Sequence, residues 1–131
     1  MSHSNPSSDS VETLMTAVRT FVADRDWEQF HDAKNLALAL SVEAGEVLEH
    51  CLWREGADLE EELDRDPAKR RAFEGELGDV MMCLLGLFDR IGADPGATLL
   101  RKLEETATRY PVDQARGRAS KYNELGKPGD D

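Results

Sequence analysis

Glu43 and Glu46 stand three residues apart in one apolar stretch, and Glu76 and Asp79 repeat that spacing in another. If both stretches are helical, each pair lies on one face, its side chains only about 60° apart around the axis. Four anions converging inside a bundle repel one another unless a cation binds between them, so the pattern suits a divalent metal held by oxygen ligands. Oxygen-only ligation favours Mg2+ or Mn2+ over zinc, which usually recruits His or Cys.

A lone Glu-x-x-Glu is ordinary on a solvated helix face. These pairs differ in their surroundings. Glu43 and Glu46 sit in Leu-Ala-Leu-Ser-Val-Glu-Ala-Gly-Glu-Val-Leu, with no basic residue within one turn, and Glu76 and Asp79 immediately precede Val80, Met81 and Met82. Each pair encloses a glycine, Gly45 or Gly78, which costs roughly 1 kcal/mol in a helix interior relative to alanine. Close approach of the two helices around a shared ion would account for both glycines; tight packing without a metal is the alternative. A di-iron oxidase wants Glu-x-x-His on two helices, and here Glu49 and Met82 occupy the positions three beyond Glu46 and Asp79.

The elements that must carry these groups read as helices. With 131 residues and 40% hydrophobic content, the chain suits one domain that buries roughly two thirds of its unfolded surface. A formal charge of -11 argues against a protein that coats DNA or RNA, because such binding draws on a basic surface. Met1 to Ser10 lack the basic start and apolar run of a secretory signal, and no later run is long enough to span a bilayer. A soluble, cytoplasmic protein without membrane partners is expected. Cys51 and Cys83 read as small buried hydrophobes within helices.

Residues 1–8 and 123–131 read as unstructured tails around a helical domain over 9–122. Asp9 and Glu12 form a candidate capping box, and Val11, Leu14, Met15, Val18, Phe21 and Val22 mark one buried face of a first helix ending near Asp24. A second helix is expected from about Asp32 to Arg54. The acidic stretch from Glu55 to Arg65 reads as a long loop with one helical turn around Leu59 to Leu63. Asp66-Pro67 and Asp94-Pro95 are start signals for a third and a fourth helix, stopped by Gly92 and Pro111 respectively. Alternating β-branched stretches are absent, so the class is all-α.

These residues bring a family into view. Arg25-Asp-Trp-Glu-Gln-Phe-His31, Lys34-Asn-Leu36, Glu43-Ala-Gly-Glu46, Trp53, Glu76-Leu-Gly-Asp79 and Arg109-Tyr-Pro-Val112 closely resemble the MazG-like nucleoside triphosphate pyrophosphohydrolases, most of all their dCTP pyrophosphatase branch. The resemblance extends from the first helix to Lys121-Tyr122. It implies an oligomeric four-helix bundle, a homodimer or a homotetramer built as a dimer of dimers. It also implies Mg2+-dependent hydrolysis of a (deoxy)nucleoside triphosphate, with dCTP or a modified dNTP as candidates, to the monophosphate and pyrophosphate. Glu43, Glu46, Glu76 and Asp79 would hold Mg2+, with Mn2+ as a substitute, and either Glu43 or Glu46 would orient the attacking water.

By the same resemblance Lys34, Asn35, Lys102, Arg109, Tyr110 and Lys121 contact the substrate, and Trp27 and Trp53 stack on the base. Trp53 follows Glu46 by seven residues, which on a continuous helix places both on one side. The chain also departs from the dCTP-preferring pattern. Val18, Cys83 and Thr106 stand where members of that branch can carry His, Tyr and Asn. A different or broader base preference follows, since reading a polar base edge requires matching partners. The rival reading is a non-catalytic helical dimerisation or regulatory module whose acidic pairs are structural.

Overall fold

A computed structural model describes residues 10–126, and every described regular element is helical. The chain forms α1 (Val11–Asp24), a 3-10 turn (Glu28–Phe30), α2 (Ala33–Glu49), α3 (Gly56–Arg65), α4 (Pro67–Ile91), α5 (Pro95–Arg109), α6 (Val112–Ala115) and a second 3-10 turn (Tyr122–Glu124). The described residues divide into two compact units, 10–93 and 94–126. In the first, α4 is the spine against which α1, α2 and α3 pack.

Local chemistry explains most boundaries. Ser10 caps α1, its Oγ accepting from the Thr13 N–H at 3.1 Å, so the capping role expected of Asp9 falls to its neighbour; Asp9 itself lies outside the described residues. Asp32 caps α2 by accepting from Asn35 N–H at 2.7 Å. Asp66 accepts from both Ala68 and Lys69 N–H groups ahead of Pro67, and Asp94 accepts from Ala97 N–H ahead of Pro95. Gly92 stops α4 with a positive φ of 67°. The Ala93 N–H then reaches back to the Phe88 carbonyl at 3.0 Å, the long bond of a Schellman stop.

Two expectations are corrected. The second helix does not reach Arg54: after Glu49 the backbone bonds tighten to i→i+3 spacing, with Cys51 N–H on Leu48 O at 2.9 Å, and Trp53 turns back at a φ of 61°. The acidic stretch is not a loop but the full helix α3. Leu59 and Leu63, one turn apart, provide a half-buried stripe, while Glu62 binds Arg54 on one side and Lys69 on the other. Glu and Leu are good helix formers once such a face has somewhere to pack.

The second unit is described by itself. Thr106 donates its hydroxyl to the Lys102 carbonyl at 2.7 Å. Tyr110 and Tyr122 meet edge to face, with centroids 6.2 Å apart, and the Arg109 guanidinium lies 5.3 Å from the Tyr122 ring centre.

Candidate active site

α2 and α4 carry the two acidic pairs onto facing surfaces. One ligand oxygen from each of Glu43, Glu46, Glu76 and Asp79 lies within 4.8 Å of all the others. All four residues are half-buried, and Glu43 Oε2 is buried with no hydrogen-bond partner among the described residues. Hydrogen bonding with Glu46, then burial, then the charges of Glu46, Asp79 and Glu76 push the Glu43 carboxyl up to about 7. A proton is thus drawn to the place where a cation would sit.

The donor set fits a hard divalent cation. It is all oxygen, it is anionic, and one of its oxygens is an orphan. Mg2+ holds its ligands at about 2.1 Å, so oxygens across one ion lie roughly 4.2 Å apart, and the 4.8 Å that bounds this cluster is of that order. The expectation that Gly45 and Gly78 permit close helix approach is overturned, since an added Cβ would meet nothing within 4 Å at either. Of the glycines in α2 and α4, Gly86 alone has a neighbour there, Leu36, which an added Cβ would meet at 3.6 Å, an ordinary van der Waals distance.

Glu43 also borders a cavity of about 390 Å³. Its walls are mostly apolar, with Phe21, Trp27, Phe30, Leu36 and Met82 among them, and its polar side chains besides Glu43 are His31, Asn35 and the thiol Cys83. Trp27 is set by the edge of Phe21, with centroids 5.8 Å apart, and by its N–H on Val22 O. The Asn35 amide donates to the Phe30 carbonyl at 3.0 Å, which leaves Oδ1 and one further N–H for other partners. Burial, followed by the charges of Glu43 and Asp79, pushes the Cys83 thiol up, which keeps it protonated.

Of the residues singled out from sequence, the first unit thus brings together the four carboxylates, Trp27 and Asn35. Val18 and Cys83, two of the departures, line the same cavity. Lys34 is exposed at the start of α2. Trp53 is 99% exposed and lines a different cavity with His50, Arg54 and Lys69, so the helical register invoked for it does not exist. In the second unit, Lys102 makes a solvent-exposed pair with Glu105 at 3.8 Å, while Arg109 and Tyr110 gather on Tyr122 and Lys121 adjoins them in sequence. Sequence reasoning overlooked Phe21 and Met82 as cavity walls and His50 as a neighbour of Glu76.

With that geometry in place, the MazG-like family matches residues 38–125. The chain belongs to the MazG-like family. This MazG-like protein is 38% identical over 124 residues to rat dCTP pyrophosphatase 1, covering 92% of this chain and 72% of that one. Over 117 residues it is 42% identical to mouse dCTP pyrophosphatase 1, covering 88% and 68%. Among solved structures it is similar to a pyrophosphatase from Archaeoglobus fulgidus, with 35% identity, a TM-score of 0.69, and coverage of 76% of this chain and 91% of the other.

The raised affinity of Glu43 for protons sets a pH dependence. Its ordinary value is 4.5 and its folded value about 7, so in that window the folded chain binds the extra proton and stability falls as pH rises. In chelator, the Tm is expected to drop between about pH 5 and pH 8, and Glu43→Gln should flatten the slope. Saturating Mg2+ should raise the Tm more at the upper end. A wild-type Tm that climbs over this range would contradict the assignment.

Proposed function

We propose that the protein is an intracellular nucleotide pyrophosphohydrolase that cleaves a deoxynucleoside triphosphate, dCTP or a related dNTP, to the monophosphate and pyrophosphate. The observation that carries this reading is a four-carboxylate cluster sharing Glu43 with an apolar, aromatic-walled cavity, in a MazG-like chain similar to dCTP pyrophosphatases.

Glu43, Glu46, Glu76 and Asp79 hold Mg2+, with Mn2+ as a substitute. When bound, such a cation neutralises polyphosphate oxygens and lowers the pKa of water. Either Glu43, on the boundary between cluster and cavity, or Glu46 orients the attacking water and takes its proton. The oxygen adds at the α-phosphorus, the bond to the bridging oxygen breaks, and pyrophosphate leaves. Trp27 stacks on the base within the cavity, beside Asn35. Trp53, Lys34, Lys102, Arg109, Tyr110 and Lys121 are assigned to substrate by resemblance alone.

The protein works as a homo-oligomer, either a dimer or a dimer of dimers. Among the described residues only Leu36, Cys83 and Leu85 are buried, while Leu38, Val42 and Leu48 on α2 stay more than half exposed. So much apolar surface on site-bearing helices suits a second copy.

Base preference is broader than for a strict dCTP enzyme. Val18 offers no hydrogen bond, the Cys83 thiol only a weak one, and the Thr106 hydroxyl is engaged by its own helix. The test is a panel of the four dNTPs and modified forms with and without Mg2+, resolving monophosphate plus pyrophosphate from diphosphate plus phosphate. Metal-dependent pyrophosphate release from several dNTPs is expected. Efficient cleavage of dCTP alone would reject the broad preference, and no release from any nucleotide would favour the regulatory-module reading.

A further inference from the structure

We propose that His50 is a positioning residue for the acidic cluster, fixing the Glu76 carboxylate in the orientation a hard cation requires; this rests on reading the four carboxylates as a cation site. His50 follows Glu46 by four residues at the C-terminal end of α2, so both project from one side of that helix. Its Nε2 lies 3.7 Å from Glu76 Oε1, ion-pair distance but longer than a hydrogen bond, and a small rotamer change closes the gap. Among the described residues, no other basic side chain stands within ion-pair distance of any of the four carboxylates.

The imidazole has a second neighbour on α4. Phe73 precedes Glu76 by three residues on α4, and its ring meets His50 edge to face, with centroids 5.5 Å apart and planes at 89°. His50 is therefore seated between two residues of one α4 face. A carboxylate that gives one oxygen to a cation still needs partners for its remaining lone pairs, and an N–H on the second oxygen fixes its rotamer. Removing outer partners of this kind typically costs about 10–100-fold in metal affinity. The role needs only the Nε2 proton, which the neutral ring can carry. A purely electrostatic His50 would act the other way, since a resident cation competes with the metal.

The experiment is Mn2+ binding to the full chain without nucleotide, read from the electron paramagnetic resonance signal of free Mn2+. His50→Leu should weaken binding about 10-fold, and His50→Gln, which keeps a donor of similar reach, should stay within about threefold of wild type. The Mg2+ concentration for half-maximal turnover should rise in parallel, with kcat at saturating metal little changed. Wild-type or tighter Mn2+ binding by His50→Leu overturns the proposal, as does a His50→Gln variant as weak as His50→Leu. If His50→Leu does not fold, His50→Asn decides, because its shorter amide cannot reach Glu76 and must bind more weakly than His50→Gln. A wild-type chain that binds no Mn2+ removes the cation site itself, whereas intact wild-type binding unaffected at position 50 removes only the role of His50.

Discussion

Asp79→Asn and Glu46→Gln should each lower Mg2+-dependent kcat/KM at least about 100-fold, because each removes one anionic ligand, and the charge stabilisation a metal provides is worth several kcal/mol. Both substitutions are close to isosteric and both positions are only half-buried, so circular dichroism should report an unchanged helical chain. The metal-free protein should in fact melt higher. Four carboxylates with ligand oxygens within 4.8 Å repel one another, and replacing one charge relieves that repulsion. Lost turnover with a raised metal-free Tm separates a ligand role from a packing role, since a packing residue would lower both. Full activity in both variants would sink the site assignment.

Sequence alone carried the helix starts and stops governed by neighbours in the chain. Asp66-Pro67, Asp94-Pro95 and Gly92 are self-contained signals, each completed by backbone groups within a few residues. The failures came where no residue type marks the change or where the deciding partner is distant. Nothing between His50 and Arg54 announces a stop, because α2 ends by tightening its own hydrogen bonds and reversing at Trp53 rather than by meeting a glycine. α3 looked like a loop because its acidic residues outnumber its apolar ones. Only the packing of Leu59 and Leu63 and the capture of Glu62 by Arg54 and Lys69 show what the helix is for.

The site divides along the same line. Helical periodicity made the carboxylate cluster legible, since i, i+3 spacing fixes a face. Distances between helices are not encoded in spacing. The two glycines inside the acidic pairs therefore looked like points of close approach, whereas an added Cβ would meet nothing within 4 Å at either. His50 had a signal that went unused, its place four residues after Glu46. The departures at Val18 and Cys83 gained meaning only once both were seen to wall the cavity that Glu43 enters.

That cavity makes Trp27 the aromatic on which substrate affinity should depend most. Its ring borders the space that Glu43 opens into, held by Phe21 and tilted toward His31 at a centroid distance of 6.2 Å. Stacking of a base on an aromatic side chain contributes about 1–3 kcal/mol, so Trp27→Ala should raise KM for a cleaved dNTP about 10–100-fold while kcat changes far less. Trp27→Phe keeps a π face and should recover most of the affinity. Because Trp27 belongs to the turn ahead of α2 and not to the acidic pairs, Mn2+ binding without nucleotide should be unchanged in both variants. This separates base recognition from assembly of the metal cluster. A Trp27→Ala enzyme with wild-type KM, or one whose Mn2+ affinity falls along with its substrate affinity, would show that the cavity does not receive the base.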